Sequence, residues 1–397
     1  MIRFRGLSQT HREKGLAIAQ QAVRVSAGPS SSNSPSLETS IAGQTIEGQA
    51  TTCEEILLRS IPSPTSTGSR FLVVVVNYNG GGMLLWCVRS CLDEGIPQAQ
   101  IVVVDNGSGD GSMKELARLF PGVQRISNPC NTGFARAVNR GIRQGLKQTP
   151  AEFVLLLNND ARLERDALKT FADGFDRWPN QAIAGGLLHW PNGRMQNAYA
   201  PLPSLVEELV PLTLLRLFAR QRFERKAFQP EPIIVESVFG ACLCARVAML
   251  PRLGLLDEDF FFYFEEVEWC QRAGRMGFEV RHLSDAHIEH GGGVTANRFR
   301  GPARVEYQRS KLTFFRKTRS RASYWIVSAY AVPRTLFNAL AGSAACVLTL
   351  FLSRKLRAKA ATYWYVFCWN LLLRPASWGL PGKCPPAASQ DSAQAAD

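Results

Sequence analysis

Phe71-Leu72-Val73-Val74-Val75-Val76 is an unbroken apolar run that stops abruptly at Asn77-Tyr78-Asn79-Gly80-Gly81-Gly82. A strand wetted on one face alternates apolar and polar residues. A continuous run is what a strand buried on both faces of a parallel sheet requires. Similar runs recur at 101–104 and 153–157, with a shorter one from Val123 to Ile126. Helix-like segments at 83–93, 113–120 and 134–147 lie between them. Strand and helix alternating at this spacing predict βαβ units and a doubly wound α/β sheet. In such sheets ligands bind at the carboxyl ends of the strands, so the residues after each run are the ones to read.

Those residues have one character. The first run leads into Asn77-Tyr78-Asn79-Gly80 and the second into Asp105-Asn106-Gly107-Ser108-Gly109-Asp110. The third leads into Asn128-Pro129-Cys130-Asn131-Thr132-Gly133 and the fourth into Asn158-Asn159-Asp160. Taken singly, such clusters make turns and helix caps. Four along one sheet edge predict a single crevice lined with amides and carboxylates. Neither a Walker A loop nor a GxGxxG follows the first strand, which excludes nucleotide binding of those two kinds.

The chain has 397 residues, 46% hydrophobic and 20% charged, enough for a large core and two or three domains. That excludes a wholly disordered or fibrous protein. The net charge of +13 invites a nucleic-acid reading, but its distribution argues against one. Residues 296–383 hold 16 basic residues and a single acid, Glu306, so this stretch carries +15 and the remainder −2. The ten cysteines show no CxxC pair or metal-finger spacing and read as buried thiols in a reducing compartment. The N-terminus lacks the continuous apolar core of a secretory signal, although its arginines give it some transit-peptide character.

With the strand ends in view, the motifs form an ordered set. Val76-Asn77-Tyr78-Asn79, Val104-Asp105-Asn106-Gly107-Ser108 and Asn131-Thr132-Gly133-Phe134-Ala135 with Asn139 resemble the family-2 glycosyltransferases, in particular the rhamnosyltransferase-like branch. Leu157-Asn158-Asn159-Asp160, Phe239-Gly240-Ala241 and Leu256-Asp257-Glu258-Asp259-Phe260-Phe261 continue the likeness. Tyr263-Phe264-Glu265-Glu266-Val267-Glu268 and His290-Gly291-Gly292 complete it, and it covers about 71–317.

The resemblance implies a GT-A fold, a Rossmann-like doubly wound mixed sheet, and a nucleotide-sugar donor such as a dTDP- or UDP-sugar. The family's base-contacting Asp falls on Asp105, whose carboxylate would accept the imide proton of uracil or thymine. Asn77 and Asn131 would line the same pocket, with Asn79, Asn106, Asn139 and Asn158 completing the donor set. Arg136 either faces the diphosphate or is a solvated helix residue. The family's DxD position reads Asn158-Asn159-Asp160, so Asp160 is the expected ligand of a divalent Mn or Mg, with His290 as the second. His287 is its nearby rival, which strand alternation turns to the opposite face. Inverting transfer needs a base for the acceptor hydroxyl. The family's Glu-Asp is here Glu265-Glu266, which gives the role to Glu266 with Glu265 as fallback.

The expected organisation is a disordered extension over 1–69, a GT-A domain over 70–318, a helical, membrane-associating region over 319–383 and a disordered tail over 384–397. Residues 335–352 run without a formal charge and end at Arg354-Lys355-Leu356-Arg357-Ala358-Lys359. Cations flanking an apolar, Trp- and Tyr-bearing region suit the anionic cytoplasmic leaflet. Whether this segment spans the membrane, lies in its plane or packs as a soluble helical subdomain stays open at this level. Residues 200–232 fit no motif and suit either an acceptor-side lid or a membrane-touching helix. The leading expectation is a metal-dependent, inverting glycosyltransferase on the cytoplasmic face of a membrane, acting on a lipid-linked or cell-surface glycan. The alternatives are a catalytically impaired nucleotide-sugar-binding relative and a nucleic-acid-binding protein using the basic stretch.

Overall fold

The computed structural model describes residues 65–210, 214–215, 231–293 and 298–384. The apolar runs are strands β1 (Phe71–Asn77), β2 (Ile101–Asp105), β3 (Gln124–Ser127) and β4 (Phe153–Asn158), all parallel to their neighbours among themselves. Between them lie helices α1 (Gly82–Asp93), α2 (Ser112–Leu119) and α3 (Phe134–Gln148). The continuous runs are buried on both faces, as unbroken apolar sequence demands. Helix α3 approaches β1 and β2 closely because Gly141 and Gly145 face Leu72, Val74, Val102 and Val104. A Cβ at Gly145 would stand 2.7 Å from the Leu72 side chain.

Beyond β4 the chain adds β5 (Ala161–Leu163), α4 (Ala167–Arg177), β6 (Gln181–His189), the short β7 (Tyr199–Ala200) and α5 (Leu205–Leu209). Then come β8 (Ile233–Ile234), β9 (Ser237–Val238), β10 (Cys242–Arg246), α6 (Leu250–Leu253), α7 (Glu265–Arg275) and β11 (Glu279–His290). The main sheet has the order β3-β2-β1-β4-β10-β6-β11-β5, with β8 also paired to β11. Strand β10 runs antiparallel to both its neighbours, so the sheet is mixed. Strand β5 pairs antiparallel with β11 and packs on α1, where the Leu163 amide donates to Ser90 Oγ.

Three helices follow: α8 (Arg300–Thr318), α9 (Arg321–Leu348, with Pro333 inside it) and α10 (Arg354–Leu371). The described residues all belong to one compact unit. Helix α8 contributes Leu312, Phe314 and Phe315 to a cluster with Phe260, Phe264 and Val327, and Val305 packs with Val366 and Trp369 of α10. Glu208 of α5 accepts from Lys311 at 2.6 Å and Arg334 at 2.9 Å, which fastens α5 to α8 and α9. The remainder of the 200–232 segment lies largely outside the described residues.

Three expectations need correction. The ordered unit begins before residue 70, because Thr65 bonds Gly95 and Gly68 packs onto it so tightly that a Cβ would lie 2.1 Å from the Gly95 carbonyl oxygen. Residues 1–64, where most of the expected extension falls, lie outside the described residues. The cysteines are not all free: among the described residues Cys130 and Cys384 form a disulfide and seven others are free thiols. Cys384 therefore belongs to the fold rather than to a tail, whose remaining residues, 385–397, lie outside the described ones. The pairing escaped the sequence because the two residues lie 254 apart with no motif between them.

The last described residues cross back onto the strand ends. The Asn131 amide donates to Gly382 O at 2.8 Å, the Cys384 amide to Asn131 O at 3.2 Å, and Tyr78 Oη to Pro381 O at 3.2 Å. Glu306, the lone acid of the basic stretch, anchors this strap. It is fully buried and accepts from Arg309 at 2.8 Å, from Lys383 and from the Leu380 amide at 3.2 Å. Removing one partner of a buried ionic cluster leaves uncompensated charge and costs roughly 3–5 kcal/mol. Glu306→Ala is therefore expected to lower unfolding free energy by about that amount in urea titration, with Glu306→Asp less damaging.

Candidate active site

The four strand ends lie in register. Asn77 stands opposite Asp105, Asp105 opposite Ser127, and Val76 opposite Asn158. A pocket of about 470 Å³ opens over this edge. From the sequence-derived set it is lined by Asn79, Asn106, Asn131, Asn158, Asp160, Glu265, Glu266 and His290.

The other four candidates lie behind or beside it. Asn77 is fully buried, with its Nδ2 against Asp105 Oδ1, Ser108 Oγ and Ser112 Oγ at 3.0–3.2 Å and its Oδ1 accepting from Asn159 at 3.0 Å. It ties the first, second and fourth strand ends together. Asp105, 7% exposed, also accepts from the Ser108 amide at 3.1 Å. Arg136 sits on the exposed face of α3 near Glu258, at 3.8 Å. Asn139 is buried and bonds Leu256 O at 2.8 Å and Glu258 at 2.9 Å, pinning α3 to the 254–258 loop. In this structure Arg136 and Asn139 make no part of the pocket wall.

The metal-type end of the pocket is Asp160 with His290. Strand β5 pairs with β11 so that Ala161 faces His290, which brings His290 Nε2 to 3.4 Å from Asp160 Oδ1. Gln196 grips His290 twice: its Nε2 donates to His290 O at 2.7 Å and its Oε1 meets His290 Nδ1 at 2.9 Å. A carbonyl oxygen accepts only, so it places the ring proton on Nδ1. His290 Nε2 is buried, has no hydrogen-bond partner and faces Asp160. An oriented imidazole beside a carboxylate fits a divalent cation. His287 is turned away from the pocket, and its ring approaches Glu164 and His189 in a separate group whose ligand-type atoms lie within 4.8 Å of one another. There Glu164 and His189 are 2.9 Å apart, which lowers the Glu164 pKa and raises that of His189.

The opposite end is Glu265 and Glu266, the first residues of α7. They are turned inward because Tyr263 and Phe264 both adopt left-handed backbone, φ 73° and 69°, which strains non-glycine residues. Burial and the neighbouring Glu266 hold the Glu265 carboxyl well above the usual range. Burial also raises Glu266, but backbone N–H groups at the helix start and Gly240 partly offset it. The two carboxyls titrate as a pair, and both hold their protons above the ordinary glutamate range. Each carries one buried oxygen without a hydrogen-bond partner.

Aromatic residues form the wall between the two ends: Trp190, Phe239, Phe261, Phe262 and Tyr263. Gly133, φ 89°, lets the Phe261 backbone press onto the start of α3, since a Cβ there would lie 2.6 Å from Phe261 O. Burial pushes the Tyr263 hydroxyl up to about 12. Gln196 and Trp190 escaped the sequence reading because nothing but folding brings the stretch after β6 to His290. Leu380 escaped because the C-terminal stretch reads as membrane-facing, whereas its strap lays Leu380 into the pocket wall.

Residues 72–244 match the model of the glycosyl transferase family 2. The domain is a family-2 glycosyltransferase. Its curated relatives include an N-acetylglucosaminyl-diphospho-decaprenol L-rhamnosyltransferase of Mycobacterium tuberculosis (strain H37Rv), 26% identical over 229 residues, which are 55% of this chain and 75% of that protein. The dTDP-rhamnosyl transferase RfbF of Shigella flexneri is 26% identical over 223 residues, 56% of this chain and 69% of that one. The mannosyltransferase PcManGT from Pyrobaculum calidifontis, solved with GDP-Man and Mn2+, shares 16% identity at a TM-score of 0.46, with 81% of this chain and 93% of that chain covered. The glycosyltransferase domain has the mixed α/β sheet that the sequence implies, followed by its helical C-terminal region.

The buried glutamates give the glycosyltransferase a measurable pH signature. Glu265 has a folded pKa above its unfolded value, so its ionisation opposes folding. That penalty is absent well below the ordinary value of 4.5 and complete once pH passes the raised folded value. Glu265→Gln is therefore expected to raise the melting temperature at pH 8 and leave it unchanged near pH 4. Each kcal/mol recovered should appear as about 2–4 °C in calorimetry.

Proposed function

We propose that this chain is a metal-dependent, inverting glycosyltransferase that moves a sugar from a nucleotide-diphosphate donor to a hydroxyl of a lipid-linked glycan. The observation that carries this reading is one pocket with two unlike ends: a metal-type pair, Asp160 and His290, and a buried glutamate pair of raised pKa. The relatives' names, which include dTDP-rhamnosyl and diphospho-decaprenol rhamnosyl transfer, favour a dTDP-linked sugar, rhamnose among them, with a UDP-sugar as the other donor to screen.

Asp160 and His290 would hold Mn or Mg, with Asn158 alongside. A cation held there would offset the negative charge that develops on the departing diphosphate. Asn106 and Asn131 on the pocket wall would hold the nucleoside, with Asp105 directly behind them, and Asn79 at the first strand end would border the diphosphate. Glu266 takes the proton from the acceptor hydroxyl as that oxygen attacks the anomeric carbon on the face opposite the diphosphate. Glu265 stands beside it as the fallback for that role. The aromatic wall excludes water from the reacting face and offers flat surfaces to a sugar ring.

The membrane part of the proposal rests on the C-terminal helices. Among the described residues α9 is the one helix long and apolar enough to cross a membrane, and only 22% of its apolar window is buried. Its exposed Trp325, Phe337 and Leu340, with Leu371 at the end of α10 and Leu372 and Leu373 after it, suit contact with the cytoplasmic leaflet. The transferase domain then extends from about residue 65 to 318 and the membrane-associating region from 319 to 384, in which helices α9 and α10 also pack on α8.

The test is a screen of UDP- and dTDP-sugars with purified protein and Mn or Mg, read as nucleoside diphosphate released and as mass-shifted acceptor. Asp160→Ala is expected to remove at least about a hundredfold of the rate, and Glu266→Gln about 10²–10⁴-fold. Transfer that persists in Glu266→Gln would take the base role from that residue. The acidic limb of the rate profile should lie above the ordinary glutamate value, because activity falls as the raised Glu266 pKa is crossed downward. Gln196→Ala should weaken Mn binding about 10–100-fold by calorimetry, through loss of the His290 orientation.

A further inference from the structure

Beside the catalytic pocket lies a second, open cleft of about 680 Å³ between α8 and α10. Arg300 and Arg304, one turn apart on α8, face Lys355 and Lys359, one turn apart on α10. Among the described residues no carboxylate forms an ion pair with any of the four. Glu306, the only acid of the surrounding stretch, is buried against Arg309, Lys383 and Leu380 instead. The Arg304 guanidinium lies 4.7 Å from the centre of the Tyr307 ring, held within the cleft. Four like charges gathered without a counter-charge repel one another and make a site for a multiply charged anion.

Two neighbours say which anion. Tyr263 lines both this cleft and the catalytic pocket, so the cleft opens next to the Glu265–Glu266 end. Lys355, another lining residue, follows directly on the α9–α10 turn, where Leu348, Leu350, Phe351 and Leu352 are 55–85% exposed. The cations therefore adjoin the catalytic carboxylates through Tyr263 and an exposed apolar turn through Lys355. A ligand matching this arrangement has a sugar hydroxyl at one end, phosphate in the middle and an aliphatic chain at the other.

We propose that the Arg300–Arg304–Lys355–Lys359 cleft binds the diphosphate of a lipid-linked acceptor and so delivers its terminal sugar to Glu266. This rests on the transferase reading above and deepens it by locating the acceptor's phosphates. The same chemistry exists in bilayer phospholipid headgroups, and the experiment separates the two.

Full-length protein is floated with phosphatidylcholine vesicles carrying a few per cent of undecaprenyl diphosphate, and with phosphatidylglycerol vesicles matched to them in surface charge. Binding about tenfold tighter to the diphosphate vesicles is expected, with the excess lost in Lys355→Ala/Lys359→Ala and in Arg304→Gln. Both variants should keep the wild-type melting temperature and nucleotide-sugar hydrolysis, since neither touches the donor pocket. Equal binding to the charge-matched vesicles would overturn the proposal, making the cleft a general membrane contact. An undiminished excess in both folded variants would overturn it as well. Absence of donor hydrolysis in the wild-type chain would refute the transferase reading separately, since the binding arms do not depend on turnover.

Discussion

Only Asn159 and Asp160 separate β4 from β5, yet the two strands stand four places apart in the sheet. In a flat sheet four steps cover about 19 Å, while the chain from Asn158 to Ala161 reaches no further than about 11 Å. The sheet must therefore curl until its last strand returns beside α1. That covalent limit sets Asp160 against His290, which arrive from sequence positions 130 apart. The rest of the pocket is arranged round the closed edge. Strand β10 brings Gly240 to Glu266, and β6 leads into the stretch that supplies Gln196 and Trp190.

The site also concentrates what the fold would otherwise avoid. Two carboxylates are buried side by side, two aromatic residues hold left-handed backbone, and an imidazole nitrogen is left without a partner. Each opposes stability on its own account. They persist because Phe260, Phe264, Phe314 and Phe315 pack behind the turn that carries them. Strain at a functional centre is over-determined by the apolar cluster beneath it, and that cluster is where α8 packs against the turn before α7.

Much of this was legible in the residues. The apolar runs are strands because uninterrupted valine and leucine can only be buried on both sides, and the polar clusters after them do meet at one edge. Composition at a strand end cannot distinguish a side chain that lines a pocket from one that braces it. Asn77 and Asn139 have the same amide chemistry as Asn106 and Asn131, but their hydrogen bonds are spent on neighbouring loops. Arg136 carries a charge that suits a diphosphate, yet helical phase turns it outward. The pairing of Cys130 with Cys384 and the placing of Leu380 depend on contacts across most of the chain, for which periodicity offers no signal.

That long contact has a consequence for the order of assembly. Leu380 walls the pocket, and the residues around it join Asn131 through backbone pairing and the disulfide. As the polypeptide is synthesised, the sheet and its carboxylates can form well before residue 380 leaves the ribosome. The pocket is finished only when α8, α9 and α10 have docked and the strap has crossed back. Competence to hold a donor would thus be acquired last, once the helices proposed to meet the lipid surface are already in place.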